Sequence, residues 1–283
     1  MLVYTTVVLI GGSILLAAAG GIPGSSPQVD DSVPFDLHRN FVVAVRGRLA
    51  DRLEPVIVLD TGTSTTLVDT RLAGRLGLTG KAVELSSFSG TESAEEVIVP
   101  SLTVGPFRAA GFRALVADLS RLDDRFGLTP DVILGSEALK GSCFSIDYAN
   151  RTLHFGRRGG WQSHAALRST APFLVVEALI EGHRFALLAD TGSAAIVLFE
   201  SAVPPRWRTR SETTLEAEDF TGSLLLRQFT VASVELGKTR WGSGPIFISP
   251  PVDRPYDGVL GPRALGIGRL QFDLERMTMS WSQ

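Results

Sequence analysis

Two carboxylates set what this sequence can do chemically. Asp60 opens Asp60-Thr61-Gly62-Thr63 and Asp190 opens Asp190-Thr191-Gly192-Ser193. Each follows an apolar run, Pro55-Val56-Ile57-Val58-Leu59 or Phe185-Ala186-Leu187-Leu188-Ala189. One Asp-Thr-Gly alone is no more than a turn; two at the ends of matching runs are a candidate pair. Carboxyls held side by side do not both ionise at low energy, so they share one proton. The ionised partner acts as general base on a water, and the protonated one hydrogen-bonds the carbonyl under attack. That chemistry requires no cofactor, no metal and no covalent intermediate. Other catalytic signatures are missing from the sequence, which has no GxSxG, no P-loop, no GxGxxG and no HExxH. The single cysteine, Cys143, stands among apolar residues and reads as a small buried hydrophobe.

The elements that must position the two aspartates occur twice. Phe41-Val42-Val43-Ala44-Val45 before the first run answers Phe173-Leu174-Val175-Val176-Glu177 before the second. Downstream, Phe88-Ser89-Gly90-Thr91 answers Phe220-Thr221-Gly222-Ser223, and Asp131-Val132-Ile133-Leu134-Gly135 answers Asp257-Gly258-Val259-Leu260-Gly261. Each half then closes on a strand pair, with turns at Ala149-Asn150 and Glu275-Arg276. Landmarks in the same order at nearly the same spacing mark a duplication. Short alternating or apolar runs bounded by Gly, Asp and Pro predict an all-β fold. Helix is expected only over Thr70–Leu76, capped by Asp69 or Thr70, with single turns at 136–139 and 262–265. Asp147 and Asp273, at strand ends beside turns, read as structural. Arg206-Trp207-Arg208-Thr209-Arg210 reads as a solvated loop.

With both loops and both Leu-Gly strands on the page, the chain resembles the aspartic peptidases, the pepsin and retropepsin superfamily, over residues 37–283. The aspartates lie about 130 residues apart, closer to two fused retropepsin-like lobes than to a full-size pepsin. The resemblance implies a pepsin-like bilobal protein, two β-barrel lobes with a cleft between them, and an aspartic endopeptidase. Asp60 and Asp190 would be the catalytic pair. Thr61 and Thr191 would cross-link the loops, Gly62 and Gly192 would offer N–H groups to the carboxylates, and Thr63 and Ser193 would each donate a hydroxyl to an outer carboxylate oxygen. The flaps over an extended substrate would be Phe88, Ser89 and Gly90 in one lobe and Phe220, Thr221 and Gly222 in the other. The first departs from pepsin in having no tyrosine.

The implied domains are a lobe over 37–158, a linker over 159–170 and a lobe over 171–283. Ahead of them, Val3 to Ala19 is apolar or small and ends at Ala17-Ala18-Ala19, so residues 1–24 read as a signal peptide or a retained membrane anchor, with a stalk over 25–36. Either places the catalytic body outside the cytoplasm. With 27 basic and 30 acidic residues mixed along the chain, no clustered basic face points to nucleic acid. The expected partner is a peptide or protein substrate, and the expected active unit is one chain. The alternative is a catalytically silent peptide-binding protein of the same fold, which would have no use for both acids.

Overall fold

The computed structural model describes residues 32–50, 53–123, 127–170, 172–218 and 221–283, together with the backbone of 2–4 and 9–10. The chain is all-β and two-lobed, and the duplication read from the sequence organises it. The first lobe runs, in hydrogen-bonded order, Lys81–Ser86, Thr91–Val104, Phe107–Ala117, Thr66–Asp69, Val132–Leu134, Val56–Leu59, Val42–Arg46, Asp36–His38. The second repeats that order with Thr213–Glu218, Ser223–Val231, Gly244–Ser249, Ile196–Phe199, Gly258–Leu260, His183–Ala189, Phe173–Ile180, Ser163–Thr170. Among the described residues neither path closes on itself, so the barrel expected of each lobe is an open, folded sheet.

Each Leu-Gly strand sits between the strand that carries the aspartate and the strand that leaves the loop. Val132–Leu134 pairs parallel with Ile57–Leu59 and antiparallel with Leu67 and Val68; Gly258–Leu260 does the same with Leu187–Ala189 and Ile196–Leu198. These strands are buried on both faces, which is why they read as unbroken apolar runs. Asp131 and Asp257 start them, and each carboxylate accepts the N–H of the neighbouring strand's Val56 or Ala186 at 2.8 Å. The helix Thr70–Leu76 forms where expected, with Asp69 accepting from the Arg71 N–H and Gly77 closing it in the left-handed conformation at φ 63°.

The strands of 143–147, 152–155, 269–273 and 278–282 join with 163–170 and 32–34 into a sheet that spans both lobes. Asp147 and Asp273 tie the matching turns, accepting from the N–H groups of Asn150 and Arg276 at 2.9 Å. Two spans differ from the sequence reading. The stalk expected over 25–36 holds strand Ser32–Pro34, paired with Thr152–His154, and its last residue, Asp36, opens the strand Asp36–His38. The linker expected over 159–170 contains strand Ser163–Thr170. Both segments are polar outside and contribute few side chains to the core, so only main-chain pairing marks them. The basic run at 206–210 is likewise not merely a solvated loop. Trp207 is 1% exposed, stacked on Phe185 and edge-on to Phe229, and the Arg210 guanidinium lies 4.3 Å from the Phe229 ring centre. Half-buried Cys143 has its thiol pushed up to about 11, chiefly by burial.

The signal or anchor expected over 1–24 falls almost wholly outside the described residues. Its two described pieces lie along hairpin edges, Leu2–Tyr4 parallel to Glu84–Ser86 and Leu9–Ile10 antiparallel to Ala217–Glu218. Among the described residues no helix is long and apolar enough to cross a membrane.

Candidate active site

The two loops meet at the lobe junction, and hydroxyls tie them together. Thr61 Oγ1 donates to the Ala189 carbonyl at 2.7 Å and accepts the Thr191 N–H at 3.0 Å. Thr191 Oγ1 donates to the Leu59 carbonyl at 3.2 Å and accepts the Thr61 N–H at 3.1 Å. All four residues are buried, so these reciprocal bonds satisfy groups that water cannot reach. The Leu-Gly strands hold the aspartates from below: the N–H groups of Asp60 and Asp190 donate to the carbonyls of Leu134 and Leu260 at 3.1 and 3.0 Å.

The glycines of both motifs are set by space. A Cβ on Gly62 would lie 2.3 Å from Asp190 Cγ, and one on Gly192 would lie 2.8 Å from Asp60 Cγ. A Cβ on Gly135 or Gly261 would run into the backbone of Thr63 or Ser193. Neither Gly62 nor Gly192 has positive φ, so close approach of one lobe's aspartate to the other lobe's loop is the reason for glycine at both.

Asp60 and Asp190 are fully buried and adjacent, and their surroundings differ. Asp60 Oδ1 accepts the Gly62 N–H at 2.8 Å and the Thr63 N–H at 3.3 Å, and Oδ2 accepts the Thr63 hydroxyl at 2.8 Å. Among the described residues, Asp190 Oδ1 accepts the Gly192 N–H, at 2.7 Å, and its buried Oδ2 accepts no hydrogen bond. The sequence expectation for Ser193 is corrected here: its hydroxyl turns to the backbone of Ala195, 3.2 Å from the carbonyl and 3.3 Å from the N–H. Burial pushes both carboxyls up. For Asp60 the donors pull back part of the rise, leaving it at about 6. Asp190 stands well above the usual carboxylate range, from burial first and then from the charge of Asp60.

Residues 45–138 match the family model described as aspartyl protease. Over those residues the first lobe is similar to that family. The match spans Asp60 and Leu134-Gly135 of the first lobe; Asp190 and Leu260-Gly261 occupy the same places in the second lobe by the repeated strand order. No curated protein matches the chain.

The expected flap residues sit at hairpin tips. Phe88, Ser89 and Gly90 form the tip of the first lobe's hairpin; Thr221 and Gly222 lie at the second lobe's tip, and Phe220 falls outside the described residues. The tips touch. The Thr221 hydroxyl bonds those of Ser87 and Ser89, the latter at 2.7 Å. Phe88 crosses to the second lobe and packs with Phe173, Val175, Leu188, Phe199 and Tyr256, its ring 5.3 Å from that of Phe199. Arg254 Nη2 donates to the Ser87 carbonyl at 3.0 Å. Sequence reasoning missed Phe199, Arg254 and Tyr256. Arg254 lies in a proline-rich loop with no periodicity, and nothing local in the sequence pairs it with residue 87.

Proposed function

We propose that the protein is an aspartic endopeptidase in which Asp60 and Asp190 activate a water against a peptide bond. The observation that carries this reading is the unequal pair of adjacent buried carboxyls, with Asp190 Oδ2 left without a donor among the described residues. The donors on Asp60 favour its charged form, and their scarcity at Asp190 favours the neutral one. Asp60 is therefore the general base, and Asp190 carries the shared proton and donates it to the peptide carbonyl oxygen. As water attacks, one of its protons passes to Asp60 and the tetrahedral centre collapses with transfer of a proton to the leaving amine.

The hairpin tips act as the lid. Closing them over a peptide excludes water from the pair and leaves hairpin edges available to an extended backbone. The strands Leu2–Tyr4 and Leu9–Ile10 lying along those edges support binding of an extended peptide by strand addition. Both aspartates come from one polypeptide, so the active unit is a single chain. Cleavage of casein or a peptide library, blocked by a statine-type inhibitor and abolished by Asp60→Asn, tests the proposal; turnover that ignores both would refute it.

A further inference from the structure

A pocket lies in the first lobe at the end of the strand pair Val42–Arg46 and Val56–Leu59 opposite to Asp60. Arg46, Gly47, Arg48, Glu54, Thr103, Gly105 and Arg108 line this pocket of about 440 Å³. The strand register explains why three arginines meet there. Arg48 pairs directly with Thr103, and Thr103 pairs directly with Arg108, so the three share one sheet face in a row across adjacent strands. Neighbouring strands lie about 4.8 Å apart, which puts the two arginine backbones roughly 10 Å apart, within reach of one ligand for side chains of that length. Gly47 brings Arg46 to the same place: a Cβ there would lie 2.5 Å from the Thr103 carbonyl oxygen, so only glycine lets this chain segment cross so close.

The three arginines of this pocket differ from several others in the molecule, which pair with carboxylates. Arg157 and Arg227 each meet a carboxylate at 2.6 Å and Arg121 meets one at 3.1 Å. Among the described residues, Arg46 and Arg48 reach no carboxylate at ion-pair distance, and Arg108 Nη1 donates only to Thr103 Oγ1 at 3.3 Å. Glu54 lines the pocket without pairing with any of them. Three guanidinium groups against one carboxylate leave the pocket with an excess of positive charge, which favours an anion.

We propose that Arg46, Arg48 and Arg108, with the Thr103 hydroxyl, bind a phosphate-type oxyanion. Guanidinium forks match tetrahedral oxyanions two oxygens at a time, and three of them suit a phosphomonoester or a lipid phosphate headgroup. Titration calorimetry of the full chain with inorganic phosphate and with glycerol 3-phosphate tests the free ligand. Sedimentation with phosphatidylglycerol vesicles, against pure phosphatidylcholine, tests the headgroup. The expected result is saturable, salt-sensitive binding to at least one probe, weakened about tenfold by Arg48→Ala or Arg108→Ala, because one charge-assisted contact is worth that much. Arg48→Lys weakens it too, since lysine keeps the charge and loses the fork. Melting curves of the variants should overlay the wild type, these side chains being exposed. Vesicle binding alone, lost in the same variants, assigns the headgroup. No binding of any probe, or equal binding by the Arg48→Ala/Arg108→Ala double variant, overturns the proposal.

Discussion

The two active-site loops carry the same Asp-Thr-Gly followed by a hydroxyl residue, yet one aspartate receives three hydrogen bonds within its loop and the other receives one. The difference begins one residue beyond the shared tripeptide. Thr63 is β-branched, and its restricted χ1 holds the hydroxyl on Asp60 Oδ2. Ser193 has no methyl to fix it, and its hydroxyl finds the Ala195 backbone, the local competition that short hydroxyl side chains offer. A fold made by duplication thus presents two acids in chemically unlike surroundings.

Removing either acid should have the largest effect. Asp60→Asn and Asp190→Asn are expected to lower kcat by roughly 10³-fold or more with little change in the circular-dichroism spectrum; turnover near wild type in either variant would break the pairing. Next come the glycines. Gly62→Ala drives a methyl into the Asp190 carboxyl and Gly192→Ala meets Asp60 with more room, so the first should lose more activity than the second, measured on the same peptide. The reverse order would contradict the closer approach in the first loop.

The flaps sharpen the contrast between lobes. Phe88→Ala withdraws an aromatic ring from the second-lobe cluster around Phe199 and Tyr256, and should raise KM about tenfold with a smaller change in kcat, burial of such a ring being worth about 1.5–3 kcal/mol. Thr221→Val removes only hydroxyl contacts and should act a few-fold. Equal effects would mean that the lid is held symmetrically.

Stability should follow pH in a direction set by the pair. Asp60 keeps its proton up to about 6 when folded, above the usual value of 3.8. Below pH 3.8 its contribution to stability is fully present. Between there and about 6 the unfolded chain sheds a proton that the folded one retains, so the contribution is lost as pH rises. Melting temperature should therefore fall across that window, and Asp60→Asn should flatten the fall and be the more stable protein at pH 7.

Much of this was legible in the residues. The repeat predicted a duplicated all-β fold, and the structure repeats the strand order throughout both lobes. Both aspartates were readable because apolar runs lead directly into them, and the cross-link through Thr61 and Thr191 was an expectation from the family resemblance. What the sequence hid depends on contacts without periodicity. Ser193 looks equivalent to Thr63, and only rotamer choice separates them. Phe88 and Arg254 are far apart in the chain and belong to different lobes. Trp207 is flanked by arginines whose charge suggested solvent, while its ring fills the core between Phe185 and Phe229.

Of the two loop hydroxyls only that of Thr63 reaches a carboxylate, and this makes the two acids unequal. The pH dependence of kcat/KM for wild type, Thr63→Ala and Ser193→Ala measures this directly. Losing the Thr63 hydroxyl removes a donor from the charged form of Asp60 and raises its pKa, so the acidic limb of the Thr63→Ala profile should move upward by about one pH unit. The Ser193→Ala profile should lie on the wild type. A shift of equal size in both variants, or one in Ser193→Ala alone, would contradict the account.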